Sequence, residues 1–129
     1  MSGKRTVYRV QDAEGRGPWR PGFSRVWIEA DGPPLPPALH DDFGIQIYAT
    51  IKSTKGHCGS ACDSLEKLRD WFTPRERGKL RLYGYNPVCI LADEVLAESR
   101  HQLVIRCDEP LTSGALILPW SALKETVDG

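Results

Sequence analysis

Residues 63–84 constrain this chain more than any other stretch, because two helix starts and one helix stop are written into them. Asp63-Ser64-Leu65-Glu66 has the form of a capping box, in which the first side chain accepts from a backbone amide one turn on and the glutamate reaches back. Leu65, Leu68 and Phe72 then share one helical face, with Trp71 at its margin. Thr73-Pro74-Arg75-Glu76 repeats the device and adds proline at the first helical position, where no amide partner is lost. The second helix is short and ends near Tyr83, with Gly84 as its natural stop. The spacing predicts a helix pair over 63–84.

The flanks read as strands. Val7 and Arg9 alternate with Tyr8 and Val10 over residues 5–10, and Val26 and Ile28 stand opposite Trp27 over residues 24–29. Residues 44–51 alternate Ile45, Ile47, Ala49 and Ile51 against Gln46, Tyr48 and Thr50. Residues 88–92, 101–107 and 115–118 are further strands, with 93–99 a strand extension followed by a turn. Between them, Gln11 to Gly22 is too rich in glycine and proline for a regular element, and Gly56 to Ala61 is a loop of small residues. Asp31 to Pro37 is a stiff, polyproline-like connector, and the roughly thirty residues before it are too few to fold alone. The order strands, helix pair, strands predicts an α+β fold with a mainly antiparallel sheet and a short central helix pair, in a single domain over 1–129.

Seventeen basic residues balance seventeen acidic ones, so a chain whose business is coating nucleic acid is not expected. Arg75, Arg77, Lys79 and Arg81 would have to reach bases if the second helix read DNA, and Gly78 weakens that helix. No apolar run approaches the roughly 20 residues that span a bilayer, so no membrane partner is expected. Met1 to Arg5 has charges but no apolar signal-peptide core behind it, which makes the expected compartment the cytoplasm. There the four cysteines, Cys58, Cys62, Cys89 and Cys107, are free thiols by default.

Those cysteines, with His57 and His101, are the loudest chemical cluster. Cys58 and Cys62 could supply two zinc ligands, but Cys89, His101 and Cys107 are isolated members of different strands, so no metal ligand is assigned. A small zinc-binding domain stands as a second alternative. A thiol just before a helix N-terminus has nucleophilic potential, yet no oxyanion motif accompanies it. Adjacent acids such as Asp41-Asp42 and Asp93-Glu94 read as solvated loop charges. Glu14-Gly15-Arg16-Gly17-Pro18 follows a strand but lacks both the dinucleotide fingerprint and the P-loop lysine. Arg16 between two glycines can still meet an anion.

Several motifs in order resemble a group of small phage and prophage proteins of unassigned function. They are Val7-Tyr8-Arg9-Val10, Gly15-Arg16-Gly17-Pro18-Trp19, Ser64 to Phe72, Gly84-Tyr85, and His101-Gln102-Leu103-Val104-Ile105. The order is in turn similar to the ADP-ribosyltransferase fold. That resemblance implies that Tyr8 and Arg9 place NAD; Arg16, read from its loop as able to meet an anion, is the further candidate cofactor contact. It also implies that the catalytic position falls at Gln102, with Glu98 as a substitute acid from the preceding turn. Gln102 departs from the glutamate of that pattern, and a neutral amide orients a sugar without supplying charge to the transition state.

The leading expectation is therefore a phage-type accessory protein that binds a host protein complex and needs no cofactor. Inhibition of a host defence complex, in the anti-CRISPR-like manner, is one use of such a surface. The alternative is an NAD-dependent ADP-ribosyltransferase-like enzyme acting on a host target.

Overall fold

The computed structural model describes residues 4–19, 23–28 and 38–123. The fold is α+β, with two antiparallel three-stranded sheets. One sheet has β1 (Arg5–Gln11) beside β3 (Asn86–Ala92), with the two-residue edge strand β6 (Leu116–Ile117) beyond it. In the other, β5 (Leu103–Cys107) lies between β2 (His57–Ala61) and β4 (Glu94–Glu98). The sheets meet at two seams. Tyr8 and Cys62 exchange backbone hydrogen bonds of 2.8 and 2.7 Å across β1 and the end of β2. β3 runs on into β4 through Asp93, whose amide donates to the Arg106 carbonyl of β5 at 3.0 Å.

Alternation along β1 then sorts its side chains onto two cores. Val7 joins Ala61, Val88, Ile90, Leu103 and Ile105 in a core shared by both sheets. Val10 faces the helices, in a second core with Trp27, Cys62, Leu68, Phe72, Leu80 and Tyr85. Trp19 anchors that second core, edge-on to Trp27 and Trp71 and stacked on Phe72 at 5.2 Å.

The helix pair lies where its caps put it. In α5 (Pro74–Leu82) the Thr73 Oγ1 accepts from the Glu76 amide at 3.1 Å, and the Glu76 carboxylate accepts from the Thr73 amide at 2.8 Å. Gly84 follows at φ +85°, the left-handed stop that glycine adopts without strain. Thr73→Ala is expected to lower the unfolding free energy by about 1 kcal/mol, read as a lower urea midpoint at unchanged slope. In α4 (Leu65–Asp70) the cap is one residue later than expected. Ser64 accepts from the Lys67 amide, while Asp63 pairs with the Lys67 ammonium at 3.2 Å.

Three segments differ from the sequence expectation. Residues 46–53 are helix α3 rather than strand: Ile47 is 6% exposed and Ile45 78%, which a strand carrying both on one face would not allow. Ile47 and Ile51, four apart, are the pair that turns inward. It packs on the short helix α2 (Leu39–Phe43), which Gly44 ends at φ +86°. Residues 24–27 form a single helical turn, α1, because Trp27 is drawn fully into the aromatic core and Val26 is left outside. Residues 57–61 are strand β2, not a loop, and pair along their whole length with β5. Residues 94–98 form β4, with a bulge between Val95 and Ala97. The proline-rich segment 31–37 and Glu29 lie outside the described residues.

Candidate functional site

The residues singled out for chemistry do not converge. Arg9 lies between the two sheets and is 6% exposed. A Cβ built on Gly59 would overlap its Nη1, and one on Gly17 would stand 3.2 Å from its Nη2. Gly59 pairs with Ile105, deep within β5, whereas Gln102 precedes the first residue of that strand. There the Gln102 amide donates to Asp42 at 3.1 Å, and the Ser99 hydroxyl donates to the same carboxylate. Gln102 thus fastens α2 to the β4–β5 turn. Glu98 adjoins the same turn, ion-paired with Arg5 at 3.0 Å, which holds its carboxyl below the usual range. Tyr8 faces the helix-side core, on the side of β1 opposite Arg9. Arg16 is tied back to Asp12, whose carboxylate also accepts from the Arg16 and Glu14 amides at 2.9 Å.

The cysteine and histidine side chains are dispersed in the same way. All four cysteines are free thiols, and among the described residues no group of three or more His, Cys, Asp or Glu could hold a metal ion. Cys62, fully buried against Leu68 and Trp71, has its thiol pKa pushed up by burial and then by Asp63. A thiol held protonated in the fold stabilises below its ordinary value of 9.0, and that contribution is lost as pH rises above it. Relative to Cys62→Ala, the wild type is expected to lose about 1 kcal/mol of unfolding free energy between pH 9 and 10, as the unfolded thiol ionises and the buried one does not. Parallel denaturant titrations at the two pH values measure it.

A different site is built by α5. Pro74, Arg77, Gly78 and Arg81 recur at helical spacing, so they line one face. That face forms one wall of a groove of about 850 Å³. Asn86 at the start of β3 and Pro119, Trp120 and Ser121 of the C-terminal turn supply the rest. Trp120 is held in place by its indole N–H, which donates to the Tyr85 carbonyl at 3.0 Å. Arg77 donates to the Phe72 carbonyl at 3.2 Å. The Arg81 guanidinium makes no hydrogen bond or ion pair among the described residues. α5 carries one acid, Glu76, which is buried in the capping box, and four basic residues, Arg75, Arg77, Lys79 and Arg81. The chain as a whole carries no net formal charge.

Gly78 is the telling residue of this wall. Glycine inside a helix costs about 1 kcal/mol against alanine. Close packing would justify that cost, but an added Cβ at Gly78 meets no atom within 4 Å. Among the described residues the missing side chain serves no contact, and it leaves this part of the groove open. From the sequence, Gly78 reads only as a helix weakener. The signal that marks it is its place between two arginines at positions 77 and 81. Pro119 and Trp120 carry no sequence signal for the site, since only tertiary structure brings them to α5.

The family described as Bacteriophage T4 Y00F protein matches residues 1–113. No curated protein and no solved structure matches the chain. Among the described residues no helix is long and apolar enough to cross a membrane.

Proposed function

The chain belongs to the Bacteriophage T4 Y00F protein family, and on that premise we propose that it is a phage accessory protein that binds a host protein through the α5 groove. The observation that carries this reading is Gly78: a helix-interior glycine with no packing role among the described residues, on the wall of a groove flanked by Arg77, Arg81 and Trp120. Arginine and tryptophan are the residue types that dominate protein interfaces, through charge-assisted hydrogen bonds and large rigid contact area. The groove therefore suits an acidic, partly apolar segment of a partner, with carboxylates on the arginines and an apolar side chain against Trp120 and Pro119. Blocking a host defence complex is the use that best fits a small phage protein with such a surface.

The test is affinity capture from host extract with wild type and Arg81→Glu in parallel, with the captured protein then purified and its binding titrated against salt. Reversal of a single groove charge is expected to weaken binding by about tenfold or more, with weakening at high salt for the wild type. Capture that is indifferent to Arg81→Glu would remove the groove from the interface. Tight, salt-dependent binding of labelled duplex DNA with no captured protein would replace the partner class.

A further inference from the structure

Where β1 ends, a buried side chain offers an acceptor that nothing in the fold takes. Gln11, 3% exposed, donates through Nε2 to the Leu111 carbonyl at 3.1 Å. A carbonyl only accepts, so this bond fixes which end of the amide is which. The other end, Oε1, is buried without a hydrogen-bond partner among the described residues. A buried acceptor without a donor carries its full desolvation cost, so it calls for a donor from elsewhere. A second amide stands beside it. Asn86 is the directly opposite residue on β3, which puts the two side chains on one face of the sheet. The Asn86 side chain makes no hydrogen bond or ion pair among the described residues, and it does not answer Gln11 Oε1.

Both amides line one pocket of about 290 Å³, at the small end of the range for ligand sites. Val88, Ala115 and Ile117 give it an apolar wall. Leu111 is not part of that wall, so its bond turns Gln11 Nε2 away and leaves Oε1 as the end offered. Asp12 also lines the pocket, but its carboxylate already accepts from the Arg16 guanidinium and from two backbone amides. The lining therefore presents hydrogen-bonding groups without a spare charge. At Gly84, another lining residue, an added Cβ would meet no atom within 4 Å, so that side is open.

We propose that this pocket binds a small neutral molecule carrying a primary carboxamide on an apolar, single-ring body. Its N–H donates to Gln11 Oε1, its carbonyl accepts from Asn86 Nδ2, and its ring lies against Val88, Ala115 and Ile117. The pairing follows from the two side chains: Gln11 has only an acceptor left, and Asn86 can present a donor on the same face. An ammonium or carboxylate ion would enter without a counter-charge, because Asp12 is already answered by Arg16. A ligand with an acceptor alone would leave Gln11 Oε1 unpaired. Asn86 also edges the α5 groove, and the pocket stands whether or not a partner fills that groove.

The experiment titrates ¹⁵N-labelled wild-type protein with benzamide and, separately, with acetophenone, which has the same shape and carbonyl but no N–H. Benzamide should shift the side-chain NH₂ resonances of Gln11 and Asn86 saturably and raise Tm over the same concentrations. Acetophenone should bind at least about tenfold more weakly. Gln11→Leu should bind benzamide no better than acetophenone. As that change also removes the bond to Leu111 and can disturb folding, Asn86→Ala is the second variant, and it should weaken benzamide by about tenfold. Unmoved Gln11 and Asn86 resonances would overturn the site, as would equal benzamide affinity in wild type and both variants. Equal affinity of the wild type for benzamide and acetophenone would overturn the ligand class.

Discussion

Gly59→Ala is expected to cost about 3 kcal/mol of unfolding free energy, an unusually large effect for one methyl group in a strand that otherwise tolerates small residues. The added Cβ would occupy the place of Arg9 Nη1 and stand 3.0 Å from both Arg9 Cζ and Leu111 Cδ1. A long side chain normally yields to such a clash by turning its tip into solvent. Arg9 has no such exit, because it is enclosed between the sheets, with Gly17 close to its other nitrogen. A double-mutant cycle separates this cause from any intrinsic effect of alanine in a strand. In an Arg9→Ala background, Gly59→Ala should be close to neutral, giving a coupling energy of at least about 2 kcal/mol. Equal costs in the two backgrounds would show that the glycine does not make room for Arg9.

The second large effect is on binding. Gly78→Trp should fill the α5 groove and weaken partner binding at least about 100-fold, close to 3 kcal/mol. It should leave the fold intact, since an added Cβ at this position meets nothing within 4 Å. Gly78→Ala divides the two roles further. It should raise the unfolding free energy by about 1 kcal/mol, or Tm by about 4 °C, while weakening binding modestly. A substitution that stabilises the protein and impairs its activity is what a residue kept for a site is expected to give.

How much of this was legible in the sequence depends on how local the cause is. The α5 helix could be read directly, because Thr73, Pro74, Glu76 and Gly84 act through bonds to their near neighbours. Residues 44–51 could not, because four apolar residues at alternate positions imitate a strand, and only packing decides that Ile47 is covered and Ile45 is not. β2 was hidden for a related reason. Its glycine and small residues resemble a loop, but Gly59 is small because an arginine from β1, fifty positions earlier, fills its side-chain space. The same holds for the sites. Arg77 and Arg81 were visible as charges, whereas the groove exists only because the C-terminal turn brings Trp120 to them. Arg9 was legible as a residue of interest through a family likeness. Its burial, and its separation from Gln102, were not.

The central claim, that the α5 groove is the surface that meets a host protein, can be tested most directly by lysine cross-linking of the captured complex followed by peptide mapping. Lys79 lies on α5, whereas Lys52 and Lys55 lie at the end of α3 and just beyond it, and Lys4 precedes β1. The account predicts inter-protein cross-links concentrated at Lys79 and lost in Gly78→Trp. Cross-links concentrated at Lys52 and Lys55, and unchanged in Gly78→Trp, would contradict it.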